Sequence, residues 1–400
     1  MTKKILIITD AFPPNFAPRM GILSTNLVKL GYDVTIISED NGETHYNLSD
    51  LPKKVYSYNY QSNLSKTKYY IKSLLNLIYD HKSSSFYKRF SSVIRKGKFD
   101  LILCSTFNEF PLNLAYKVSK KLNIPLVCDI RDIAEQFGEK KYNALQNNFL
   151  SKYFTDLLRE RRIKRRNFVL KRANAITTIS LWHKDFLSKL NNNVHLIYNG
   201  FSKDKFFAEE VKTNTFDIIY TGRILDSHTR NPEILFKAIE QLKLENLRLV
   251  WYVDKVSKEI INRELEGYPT AKSVSQVNDL VPVSEVPMLL NKSSVILVLT
   301  NKSDENGPKG IMTTKFFEAV GVEKPVLCVK SDEGCLAQVI NDTNAGLSAK
   351  TVEEVRDFIT EKYSEWQKNG FTRQNVRNKD YFCRENQANQ FIEIFNTLIK

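Results

Sequence analysis

Four hundred residues with 42% hydrophobic content can bury two full-sized cores, which predicts two domains. The formal charge of +14 points to an anionic partner. Five cysteines without CxxC spacing and five isolated histidines exclude a disulfide framework and a zinc knuckle.

The first element is the short apolar run 4–9, KILIIT, which reads as a buried strand. Asp10 and Pro13-Pro14 break that run too soon for a signal peptide. No stretch approaches the roughly 20 apolar residues of a membrane span, so a soluble, cytosolic chain is expected. A proline-bearing loop over 11–19 leads to a helix over 20–30 and a strand over 32–38. Further strands are predicted at 100–105, 125–130 and 175–180, with a helix at 111–122. The run HLIYNGF at 195–201 ends in an Asn-Gly turn signal, and the charged stretch to 215 is expected to be a linker. The pattern then restarts, with strands at 217–220, 248–253, 295–300 and 325–329 and a helix at 232–242. Alternating strands and helices predict an α/β chain of two doubly wound, Rossmann-like domains facing a cleft. The expected division is 1–205 and 206–380, with a final helix over 381–400 packing back on the first domain.

Two segments carry much of the positive charge. Residues 151–172 hold Arg159, Arg161, Arg162, Lys164, Arg165, Arg166, Lys171 and Arg172 among Tyr, Phe, Leu and Val. Free of Gly and Pro, this stretch reads as one long helix with an apolar stripe. Residues 66–98 repeat the mixture in KYYIKSLLNLIY and FYKRFSSVIRKGK. The pattern fits docking on an anionic membrane surface, and it also fits solvated helices whose apolar sides face the core. A nucleic-acid role needs a recognised module, and none is present.

The stretch GIMTTKFFEAVGVEKPVLCV at 310–329 carries the chemistry. It follows the strand at 295–300 and the polar loop 301–310, and its helix opens at Thr313-Thr314, both good capping residues. A helix N-terminus after a strand end offers free N–H groups and a positive dipole end to a phosphate. Lys315 sits in the first turn, and Glu318 shares its face. The ammonium could hold a diphosphate while the carboxylate accepts from a ribose diol. The same spacing also fits a surface ion pair.

With these motifs in hand the chain resembles the GT-B fold and glycosyltransferase family 4, a group of retaining, metal-independent enzymes. The likeness rests on TDAFPPNFAPRMG near the start, VCDIRDIAEQFGE, HLIYNGFSKDKF followed by FDIIYTGRI, and TTKFFEAVGVEKPVL, in the family's order over most of residues 1–380. The segment 41–98 matches least. The resemblance implies a diphosphate held by Arg223, after Gly222, together with Lys315. It implies a ribose held by Glu318, and further donors from Thr314 at the helix start. Gly21 would let the first-domain backbone approach the donor, and Arg19, Arg131 and Asp132 would contact acceptor or sugar. Many relatives carry a glutamate eight residues before the ribose-binding one. Here that place is Gly310, which leaves the backbone or Asp304, Glu305 or Asn306 to supply the contact. Arg230 is the candidate for a second basic residue after the Gly-Arg loop.

The reaction so implied is sugar transfer with retention, from a nucleotide-sugar (a UDP-sugar above others) to a glycan or lipid-linked oligosaccharide acceptor, as in bacterial surface-polysaccharide assembly. No cofactor and no metal are expected, and no nucleic-acid partner. The leaving diphosphate would take the acceptor's proton, with Arg223 and Lys315 stabilising its charge; Asp132 is an alternative base. The expected place is cytoplasmic, peripheral on the inner face of the plasma membrane through 151–172 and 66–98. Two rival classes share the fold: a nucleotide-sugar or glycan-binding protein without turnover, and a nucleotide-sugar epimerase. The epimerase would need acid/base side chains that do not stand out in this sequence.

Overall fold

The computed structural model describes residues 2–15, 18–40, 42, 51–60, 66–107, 109–137, 149–224, 230–300 and 308–399. It divides into two compact units, residues 1–198 with 385–400, and residues 199–384. The units part at Tyr198–Asn199, a few residues before the expected 205, and the terminal helix rejoins the first unit from Glu385 onward.

In the first unit the strands are β1 (Lys4–Thr9), β2 (Asp33–Glu39), β3 (Lys54–Tyr58), β4 (Leu101–Thr106), β5 (Leu126–Ile130), β6 (Ala175–Thr178) and β7 (Val194–Leu196). Among the described residues they form one sheet in the order β3-β2-β1-β4-β5-β6-β7, with every described pairing parallel. Parallel neighbours need long crossovers, and these place helices on both faces. The side chains of β1 divide accordingly. Leu6 and Ile8 pack with Ile102, Cys104, Cys128 and the helix Leu112–Leu122. Ile5 and Ile7 pack with Leu101, Leu103 and Met20, and with Ala388, Phe391 and Phe395 of the terminal helix Arg384–Leu398. Period-two alternation thus serves two cores at once.

In the second unit β8 (Phe216–Thr221), β9 (Leu247–Val253), β10 (Ser275–Asp279), β11 (Val295–Leu299), β12 (Val326–Val329) and β13 (Gly346–Ser348) lie in the order β10-β9-β8-β11-β12-β13. Phe216, Ile218 and Tyr220 of β8 point into one core with Trp251, Leu297, Phe236, Tyr363 and Trp366. The strand order reverses between β1 and β4 in one sheet and between β8 and β11 in the other. Such switch points, at the carboxyl ends of the strands, are where open α/β sheets bind ligands.

The predicted two-domain α/β architecture is observed, with local differences. The first helix runs Pro18–Lys29, because proline suits the first helical position, where no N–H is required. Arg19 and Gly21 therefore lie inside that helix. The poorly matching segment 41–98 supplies β3 and the helices Lys66–Tyr79, His81–Arg89 and Ser91–Lys96. The basic stretch is indeed a helix, Phe149–Leu170, but part of its charge is structural. Arg166 is buried and grips Glu135 through two bonds of 2.7 and 2.6 Å. Arg165 donates to the carbonyls of Asn76 and Ile78, and Arg161 to that of Ile78. Two arginines thus cap the negative end of the helix Lys66–Tyr79, where cations are favoured. Arg162 and Lys164 are exposed, as are the apolar Ile71, Tyr79, Leu157 and Phe168. No helix among the described residues is long and apolar enough to cross a membrane.

Candidate functional site

In the second unit the switch point is built by Gly222-Arg223, directly after β8, and by the helix Thr314–Gly321 that follows β11. Gly222 has φ +116°, and a Cβ placed there would lie 2.8 Å from the Lys315 Nζ. The position therefore needs glycine both for its backbone and for the close approach of the lysine. Lys315 Nζ stands 5.1 Å from the centre of the Tyr220 ring, a cation–π arrangement. The Tyr220 hydroxyl donates to the Arg223 carbonyl at 2.9 Å, and Arg230 donates to the same oxygen. Burial and then the Arg230 charge lower the Lys315 pKa, partly offset by Glu318. Burial raises the Glu318 carboxyl against the pull of Lys315 and Arg384.

Lys315 and Glu318 form no ion pair among the described contacts, so the surface-pair reading of their spacing does not describe them. Arg223 is the exposed cation of the group, with 65% of its side chain accessible and its Nε 3.3 Å from Asp254. Asp254 is itself tied to the N-terminus of the helix Lys255–Leu265 through Ser257. Thr313 occupies the N-cap of the Thr314–Gly321 helix without a side-chain bond to it, and Thr314 is exposed. This corner presents cations, a helix N-terminus and a carboxylate. Asp304, Glu305, Asn306 and residues 225–229 lie outside the described residues. Gly310 has φ +68°.

In the first unit Asp10, directly after β1, draws the switch point together. Its Oδ2 accepts from Thr106 Oγ1 at 3.0 Å and Phe107 N at 2.7 Å, and its Oδ1 from Arg131 at 2.8 Å. The Arg131 guanidinium is buried and lies 3.5 Å from the centre of the Phe107 ring. Its Nε has no hydrogen-bond partner among the described residues. Asp132, next in the chain, is half-buried and accepts from Gln136 at 2.8 Å. Burial raises its pKa, while the Gln136 bond and Arg131 lower it and Asp10 adds a raising influence.

Arg19 does not belong to this group. It is buried, paired with the fully buried Asp129 at 3.1 Å, bonded to the carbonyls of Tyr198 and Ile197, and set over the Phe391 ring. Helix formation from Pro18 turns it inward, where it serves the core as a structural cation. Gly21 is also buried, and its carbonyl accepts from the Ser24 and Thr25 hydroxyls. No group of three or more His, Cys, Asp or Glu that could hold a metal occurs among the described residues.

Sequence reasoning missed Asp10, Gln136, Tyr220 and Arg384. Asp10 had a signal, a carboxylate directly after the first strand. Tyr220 had a weaker one, two residues before the glycine of the Gly-Arg loop.

Residues 21–205 match the model of Glycosyltransferase Family 4. That match spans most of the first unit. The first domain is thus similar to glycosyltransferase family 4. Solved structures align over nearly the whole chain and show the GT-B fold. A sucrose-phosphate synthase from Thermosynechococcus elongatus is 14% identical with a TM-score of 0.64, covering 99% of both chains. HepE of Anabaena, solved in complex with UDP-glucose, is 13% identical with a TM-score of 0.62, covering 99% of this chain and 100% of that one. A glycosyltransferase from Rickettsia africae is 16% identical with a TM-score of 0.63, covering 100% and 99%. No curated protein matches at the level of sequence.

Proposed function

We propose that this glycosyltransferase moves a sugar, with retention and without a metal, from a UDP-sugar to a hydroxyl of a lipid-linked glycan in bacterial surface-polysaccharide assembly. The observation that carries the reading is the cluster Gly222, Arg223, Lys315 and Glu318 at the switch point of the second sheet. Arg223 and Lys315 hold the donor diphosphate with the free N–H groups at Thr314, and Glu318 accepts from the ribose diol. The departing diphosphate gains charge as the glycosidic bond breaks, and fixed cations stabilise that change more than they stabilise the ground state. One diphosphate oxygen then takes the acceptor proton on the face the leaving group vacates, so the anomeric configuration is kept. In the first domain Gly21, Arg131 and Asp132 are assigned to sugar or acceptor binding, Asp132 accepting from an acceptor hydroxyl. HepE, bound to UDP-glucose in its structure, supports a uridine donor.

Exposed Arg162 and Lys164, with Ile71, Tyr79, Leu157 and Phe168 exposed in the same domain, support docking on an anionic inner leaflet. The test is transfer from a UDP-sugar panel to lipid-diphosphate-linked glycans, with the product's anomeric configuration read by proton NMR. Retention, with a faster rate on anionic than on neutral vesicles, is expected. An inverted product would refute the mechanism, and equal rates on both vesicles would refute the docking.

A further inference from the structure

A chain of buried polar side chains runs from the core of the first domain to Asp132, and its direction can be read group by group. Ser180 caps the helix Leu181–Ser188 and lies 2.6 Å from His183 Nδ1. His183 Nε2 lies 2.7 Å from Gln136 Oε1. Gln136 Nε2 then donates to Asp132 Oδ1 at 2.8 Å. His183 is fully buried, Gln136 is 1% exposed and Ser180 is fully buried, so each unpaired group would be costly.

The orientations follow from this accounting. Gln136 Oε1 also accepts the backbone N–H of Ile133 at 3.1 Å. The amide oxygen therefore faces two donors, and the NH2 must face the carboxylate. His183 must then carry its proton on Nε2, which leaves Nδ1 to accept from the Ser180 hydroxyl. Burial lowers the His183 pKa to about 4, so the ring stays neutral and the chain keeps this direction over the working pH range.

We propose that Gln136 and His183 are positioning residues that fix the Asp132 carboxylate toward the acceptor. The inference rests on the acceptor role given to Asp132 above, and it adds what holds that side chain in place. Gln136 supplies an N–H to one carboxylate oxygen, leaving the other, unbonded among the described residues, for an acceptor hydroxyl. His183 and Ser180 keep the amide from flipping, since a flipped Gln136 would set its oxygen against the Asp132 carboxylate and its NH2 against the Ile133 N–H and the His183 Nε2–H. The charged groups acting on Asp132 are Arg131, adjacent in the chain, and Asp10 from the end of β1. Both are unchanged in the variants below.

The experiment measures the Asp132 carboxyl titration by carbon-13 NMR, with the resonance assigned through Asp132→Asn. It is run alongside kcat and KM for wild type, Gln136→Met, His183→Leu and His183→Gln. Loss of a hydrogen bond to a charged carboxylate should raise the Asp132 pKa by roughly one unit or more in Gln136→Met. The acidic limb of the rate profile should move up with it. Turnover should fall on the order of 10²-fold, with the donor KM little changed. His183→Gln can replace the Nε2–H with an amide N–H and should restore most of the loss seen in His183→Leu. An Asp132 titration unmoved in Gln136→Met, or equal losses in the two His183 variants, would overturn the proposal. The NMR titration needs no activity, so it separates this inference from the assignment of Asp132, which fails instead if Asp132→Asn retains full turnover.

Discussion

Lys315→Ala is expected to lower kcat/KM by roughly 10²–10³-fold, the loss typical of removing one fixed donor to a developing anion. Stability should stay level or rise. The ammonium stands over the Tyr220 ring with no carboxylate within ion-pair distance among the described residues, and burial lowers its pKa below the ordinary 10.5. The unfolded chain holds that proton more tightly than the folded one, so the charged lysine costs stability at neutral pH, and the cost fades as pH rises through its folded pKa. A side chain that destabilises the empty protein and serves a bound anion is the usual mark of a functional site. A bound diphosphate would raise the lysine's pKa again, so donor binding should weaken on the alkaline side earlier than an ordinary lysine would allow. The checks are steady-state kinetics against pH and urea unfolding of the same variant. Full activity in Lys315→Ala, or a large loss of stability, would assign the residue to structure.

Arg19→Ala should do the reverse and cost the first domain about 3–5 kcal/mol, the range for breaking a buried pair from one side. Asp129 is fully buried and accepts from Arg19, Ser105 at 2.9 Å and Thr177 at 2.8 Å. Burial alone would raise its carboxyl, yet Arg19, then the Arg131 charge and the Thr177 hydroxyl, hold it below its usual value. Without the guanidinium the charge is stranded, and the Tyr198 and Ile197 carbonyls lose their donors as well. The variant's deficit should shrink as pH falls, because the unpaired carboxyl then takes up a proton at higher pH than the wild-type one. Replacing both partners, as Arg19→Met with Asp129→Leu, should recover much of the stability. Chemical denaturation of the three variants measures this, and a loss below about 1 kcal/mol in Arg19→Ala would show the pair to be unimportant.

These two residues show what the sequence made legible. Lys315 could be located because its surroundings are local: a strand, a loop and a helix start within some twenty residues. Arg19 could not, because its partner Asp129 lies 110 positions away, and a buried arginine looks like a site arginine when read along the chain. Separation along the sequence also hid the Asp132–Gln136–His183 chain, because Gln136 and His183 lie 47 positions apart and meet only when β5 and β6 pair. The central strands were legible from runs such as KILIIT in β1 and VILVL in β11, fully or almost fully buried. The outer strands were not. β3 is exposed along most of its length, β10 reads SQVND, and β13 has three residues. Edge strands bury little, so they leave no apolar run to read.

The basic helix stands between these cases. Its amphipathic pattern predicted the element, but half of the question was which partner each cation takes. Arg166 finds Glu135, and Arg161 and Arg165 find carbonyl groups of another helix. Counting charges along the chain overstates what is left for a surface.

The central claim is that the second domain holds a nucleotide-sugar through Arg223 and Lys315. A thermal-shift panel of UDP, GDP, ADP, CMP and their sugars, on wild type and Arg223→Ala, tests it most directly. The account predicts stabilisation by the uridine compounds, equivalent to about 2.7 kcal/mol at a ligand concentration 100 times Kd, and its loss in Arg223→Ala. No shift with any nucleotide near millimolar concentration, or an equal shift in the variant, would contradict it.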